Sequence, residues 1–175
     1  MLTRLAPEDI LGFDARDYFE VAKQRADKVH LNTRYIGTDE AKLEGFILEE
    51  GILNLLPVER PKGSVPYNHD VLFRSRLLEV KAERTPSWMI EIPLDWDARC
   101  QDYYHQKCDF YIHGRINLKK KLGWIIGFIS RDEYFALAGE PHKAGTDYNG
   151  IKLKEDTWMV PYSKLYPLRL LGVVA

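Results

Sequence analysis

The sequence predicts an α+β fold, a central mixed sheet flanked by helices, on three observations. Two amphipathic helix patterns come first, and short apolar or alternating strand patterns follow. Helix and strand then fail to alternate in the regular way that βαβ units require. With 175 residues, 45% of them hydrophobic, the chain is long enough to bury a sizeable core. No internal repeat or low-complexity linker breaks it, so one domain is expected over residues 1–175.

Taken in order, Asp14 is a natural cap for a first helix running to about Lys28, with Tyr18, Val21, Ala22 and Arg25 along one stripe. Thr38 caps a second helix from Asp39 to about Glu50. Leu43, Phe46 and Ile47 form its apolar face, Glu44 lies at that face's edge, and Gly51 is its stop signal. Ile52 to Val58 reads as a first strand, closed by Pro57 and Pro61. Asp70 to Arg74 and Arg76 to Glu83 read as a hairpin, and Trp88 to Ile92 as an extension or edge of the sheet. Asp97 opens a further helix to about Lys107. Phe110 to Ile116 and Trp124 to Ser130 are two strong strands, Ser130 to Ala138 is helical, and the chain from Ile151 onward reads as irregular or short β structure.

Charge narrows the partners. Twenty-five Lys and Arg against 26 Asp and Glu give a net charge of −1, so no global field draws the protein to nucleic acid. A local basic surface is still available from Lys119, Lys120 and Lys121 with Arg74, Arg76 and Arg84. No apolar run approaches the ~20 residues that cross a bilayer, and the opening residues lack a signal-peptide core. The expectation is a cytoplasmic protein with no membrane partner. Cys100 and Cys108 fall in one predicted helical segment, where a disulfide is geometrically awkward. A reduced setting is simpler. With His105 they suggest a metal site, but no fourth ligand is evident.

The chemistry concentrates in Asp70-Val-Leu-Phe-Arg-Ser-Arg-Leu-Leu-Glu79-Val80-Lys81. Acid-x-Lys triplets are common, and Glu40-Ala41-Lys42 is a second one, but in a predicted helix residues two apart diverge. In a strand they share a face. If Arg74 and Ser75 form a two-residue turn, Asp70 lies opposite Glu79, with Cβ atoms ~5 Å apart. A three-residue loop would set Asp70 against Val80 instead. Two carboxylates so close repel unless a cation lies between them. Mg²⁺ suits Asp70, Glu79 and the carbonyl of Val80, and Mn²⁺ can substitute. Lys81 is placed to orient or deprotonate a water, or to stabilise an oxyanion. The bland alternative is a solvated Glu79–Lys81 pair on an exposed strand face.

An Asp heading one strand and Glu-x-Lys in the next resembles the bipartite signature of the PD-(D/E)XK nuclease superfamily, the restriction-endonuclease-like fold. The likeness extends over roughly Arg34 to Ser130, within a core of about 34–138. The helix 14–28 and the segment 145–175 stand as additions to that core. Arg34 to Glu44 looks like the family's leading helix, whose Glu often adds a metal ligand. The resemblance assigns that role to Glu44, with Glu40 as rival. Cys108-Asp-Phe-Tyr-Ile and Gly123-Trp-Ile-Ile-Gly-Phe-Ile resemble the later core strands. His69 stands where the signature has Pro, and Gln101 is followed four residues on by His105 where the exonuclease branch has Tyr.

The resemblance implies a Mg²⁺-dependent DNA endonuclease, sequence- or structure-specific in the manner of restriction or homing enzymes, with Asp70, Glu79 and Lys81 catalytic. Double-strand cleavage would favour a homodimer. A repair or junction-resolving nuclease, and a non-catalytic nucleic-acid-binding protein of the same fold, are the alternatives. Supporting or DNA-contacting roles fall to His69, Gln101, Lys119, Lys120 and Lys121. Each has a plainer reading: a strand-end His, a helix residue beside the sheet, a solvated hairpin tip. The aromatic and basic residues from Tyr148 to Arg169 fit DNA contacts, a dimer surface or the packing of a small appended sheet.

Overall fold

A computed structural model describes residues 1–32, 39–62, 70–101 and 107–174 and shows a mixed α+β architecture. Strand β1 (Leu11–Asp14) leads into helix α1 (Arg16–Asn32), and α2 (Asp39–Leu55) follows. Strands β2 (Asp70–Phe73), β3 (Arg76–Glu83), β4 (Asp97–Cys100), β5 (Phe110–Asn117) and β6 (Leu122–Ser130) come next, then α3 (Arg131–Ala138). The chain closes with β7 (Asp147–Tyr148), β8 (Ile151–Lys152), β9 (Trp158–Pro161) and α4 (Leu171–Val174). The main sheet has the order β1-β6-β5-β3-β2, with only β3 and β5 parallel. Two small sheets, β4–β9 and β7–β8, lie beside it. Among the described residues no helix is long and apolar enough to cross a membrane.

Period-two alternation on β3 divides the molecule. Leu78 and Val80 join Phe46, Ile47, Leu48 and Ile52 of α2, Ala22 of α1 and Ile112 of β5 in one core. Tyr111, Ile126 and Ile129 face the other way and join Tyr134, Val160 and Tyr162 in a second core. The helices α1 and α2 thus cover one face of the sheet, and the carboxy-terminal segment covers part of the other.

Several sequence expectations need correction. The second helix does not stop at Gly51 and no strand spans Ile52 to Val58, because α2 continues to Leu55. The glycine interrupts nothing; a Cβ on it would meet the Phe13 ring at 2.9 Å, so it is where β1 packs against the helix. Ile52 extends the buried stripe of Leu48 by one turn. The expected helix from Asp97 to Lys107 begins instead as strand β4, with Ala98 and Cys100 buried against β9; residues 102–106 lie outside the described residues. Trp88 to Ile92 is an irregular loop rather than an edge strand. The Thr38 cap lies outside the described residues. Within the first helix Ala22 and Arg25 are buried but Val21 is exposed. Arg25 belongs on that stripe because Glu49 (2.8 Å) and Glu50 (3.0 Å) of α2 receive its guanidinium.

Candidate active site on the second and third strands

The turn between β2 and β3 is Arg74-Ser75, with φ of 47° and 66°. Two consecutive left-handed residues make the tight turn whose twist matches a β-hairpin. Its consequence is the ladder Phe73–Arg76, Leu72–Leu77, Val71–Leu78 and Asp70–Glu79. Asp70 therefore sits directly across from Glu79, although its side chain lies outside the described residues. His69 lies outside them altogether.

On β3 the odd-numbered residues Glu79, Lys81 and Glu83 put charge on one face. Lys81 Nζ lies 3.4 Å from Glu79 Oε1, and their side chains keep only 18% and 21% of their exposure. The ammonium also sits 5.9 Å from the centre of the Tyr111 ring, on the residue of β5 that pairs with Glu79. Cys108 lies close by: burial, then the Glu79 charge, push its thiol up to about 11, against the opposing pull of Lys81 and Arg131. That thiol is a neutral wall at physiological pH rather than a nucleophile. Both cysteines are free and buried. Asp109 anchors the head of the strand, its Oδ2 accepting from Leu77 N at 2.8 Å.

One strand position further on, the same face becomes a buried lock. Glu83, with a side chain 4% exposed, accepts from Arg99 N (3.1 Å) and pairs with His113 Nδ1 at 2.7 Å. Its second oxygen accepts from the Tyr162 hydroxyl at 3.0 Å, and that hydroxyl accepts from Arg115 Nε at 2.7 Å. Burial alone would raise the Glu83 carboxyl, but His113, Arg115 and the Arg99 amide hold it below its usual range. His113 pairs in the ladder with Lys81 and stacks on Tyr134.

The structure does not bring Glu44 to this face. It belongs to α2, whose buried residues pack on the opposite side of the sheet with Leu78 and Val80. Burial and then Glu40 push its carboxyl up to about 7, partly countered by Arg84 and Arg115. Glu40 is exposed. Gln101 is exposed and irregular just past β4, not on a helix. Lys119, Lys120 and Lys121 are exposed on the β5–β6 turn. Sequence reasoning passed over Tyr111, His113 and Glu83. Parity along β3 and β5 was the available signal, since all three share the face of Glu79.

Among the described residues no group of three His, Cys, Asp or Glu side chains gathers to hold a metal ion. Of the described side chains, the half-buried Glu79 carboxylate is the hard oxygen donor that suits one.

Fold and site together define a mixed α+β protein with an acid-and-lysine face on its third strand. In comparisons with protein-family models, curated proteins and solved structures, no match is found.

Proposed function

We propose that the protein is a metal-dependent nuclease of the restriction-endonuclease-like fold, hydrolysing DNA phosphodiester bonds at Asp70, Glu79 and Lys81. The observation that supports the reading most is the register: a two-residue turn sets Asp70 against Glu79 while Lys81 follows on the same face. Asp70, Glu79 and the Val80 carbonyl would hold a divalent ion, which would supply charge neutralisation at the phosphodiester and an acidified water. Lys81 would orient the attacking water or donate to the developing oxyanion. The buried Tyr111 ring and the neutral Cys108 thiol shield the ammonium on one side, which strengthens its pull on a phosphate. Glu44 has no part in this scheme. Cutting both strands of a duplex would call for two copies of the site, hence a homodimer.

A second reading, a nucleic-acid-binding protein of the same fold without turnover, is favoured by the direct Glu79–Lys81 ion pair and the net charge of −1. The two separate in one experiment. Purified protein is incubated with Mg²⁺ or Mn²⁺ on duplex, branched and single-stranded DNA, and product ends are mapped. Cutting that chelator stops, and that Lys81→Ala abolishes without changing the thermal midpoint, supports the nuclease. Wild-type protein inert on every substrate with both metals overturns it.

A further inference from the structure

Asn117, the last residue of β5, is buried to 2% and ties two surface segments together. Its amide nitrogen lies 2.8 Å from the Met89 carbonyl and 3.2 Å from those of Pro86 and Ser87. Its oxygen accepts from Lys120 N at 3.0 Å. One carboxamide therefore holds the 86–89 loop and the β5–β6 turn within about 10 Å of each other. On that loop Met89 points wholly inward, while its neighbours Trp88 and Ile90 stand out at 67% and 63% exposure. Trp88 is braced edge-on against Trp96 at 6.1 Å and 86°, an arrangement that steadies the ring and leaves it open to solvent. Lys119, Lys120 and Lys121 are exposed on the turn, and none forms an ion pair with a described residue. On the far flank of the turn lies an open cleft of about 470 Å³ rimmed by Lys120, Lys121 and Arg16. Arg16 is already paired with Asp14 at 2.5 Å and Lys121 adds a weaker pull on the same carboxylate, so Lys119 and Lys120 are the cations with least competition.

A rigidly held aromatic face beside uncommitted cations is the layout that receives an unstacked base and its phosphates. We propose that this end of the sheet binds single-stranded nucleic acid, Trp88 stacking on one base and the Lys119–Lys121 turn holding the flanking phosphates. The surface is separate from Glu79. Tyr111, its ladder partner, and Asn117 are six residues apart on β5, roughly 20 Å. A lipid surface fits less well. Only two apolar side chains emerge, and the exposed Glu91 directly follows Ile90, whereas insertion needs a continuous apolar face.

The test is fluorescence anisotropy with labelled oligo-dT in EDTA, so that binding is read whether or not the protein cuts. Trp88→Ala is expected to weaken binding about 5- to 150-fold, the loss of one stacked base, and Trp88→Phe to restore most of it. Replacing all three lysines by Ala is expected to lower the slope of log affinity against log salt by up to about 2. Both sites are exposed, and an unchanged thermal midpoint for each variant shows that the fold is intact. Oligo-dT affinity unchanged by Trp88→Ala overturns the proposal. Wild-type binding confined to poly-Glu peptide or to phosphatidylserine vesicles overturns it equally.

Discussion

Replacing Glu83 by alanine tests the buried lock behind the candidate site. The carboxylate receives three hydrogen bonds, from Arg99 N at 3.1 Å, His113 Nδ1 at 2.7 Å and Tyr162 Oη at 3.0 Å. Its charge also offsets the buried Arg115 guanidinium. Each orphaned donor costs ~1–3 kcal/mol, but the three share one relaxation and do not add. Removing one member of a buried ionic cluster costs ~3–5 kcal/mol, which is the expected loss. At roughly 2–4 °C per kcal/mol for a chain of this size, the thermal midpoint falls by about 6–20 °C. Urea unfolding at pH 7 should move the midpoint and leave the slope unchanged. The sign in acid follows from a native carboxyl held below its unfolded value. That stability is present above the ordinary glutamate value of 4.5 and is lost as pH falls through the lower native one. The gap between wild type and Glu83→Ala therefore closes in acid. A loss under about 1 kcal/mol at pH 7 would mean that water or rearrangement satisfies the lock, and would refute the reasoning.

Glu44 runs the opposite way. Its carboxyl is raised from 4.5 to about 7, so wild-type stability falls as pH rises through that window. Glu44→Gln should remove this fall and be more stable than wild type at pH 8 by about 1–2 kcal/mol, after discounting for solvent screening. Urea midpoints at pH 5 and pH 8 check it, and a difference that does not grow with pH contradicts the placement of Glu44. Ser75→Gly should stabilise by about 0.5–1 kcal/mol, because glycine escapes the left-handed cost at φ 66° but loses more chain entropy on folding. Thermal melts read that shift directly, and a lower midpoint would show that the serine is not strained.

The hairpin was legible because its information is local. Period-two burial and a loop of two residues fix the register, and the register alone puts Asp70 across from Glu79. The strands β5 and β6 and the helix α3 were legible for a similar reason: each carries its own apolar run, and Ser130 caps α3 by accepting from Glu133 N. What failed depends on distant partners. Gly51 looks like a stop signal until Phe13, thirty-eight residues earlier, is seen to fill the space of its missing side chain. Asp97 looks like a helix cap, yet β4 exists because Trp158 to Pro161 pair with it across sixty residues of chain. The loop 84–96 is shaped by Asn117, whose side chain gives no hint in the sequence that it will serve three carbonyls.

The same alternation that assembles the candidate site also divides it. Glu79, Lys81 and Glu83 fall on one face of β3, and among the described residues the carboxy-terminal segment closes over the Glu83 end, through Tyr162 and the strand β9. Exposure of these side chains drops from 21% and 18% at Glu79 and Lys81 to 4% at Glu83. The buried end is held by hydrogen bonds and resists rearrangement; the open end keeps an ion pair that a phosphate or a cation can compete for. Helices α1 and α2 pack on the other face, and Glu44 belongs to α2, where Arg84 and Arg115 act on its carboxyl. A proposed centre at Glu79 and Lys81 must therefore draw its remaining groups from β2 and from the start of β5, where Asp70, Cys108 and Tyr111 stand.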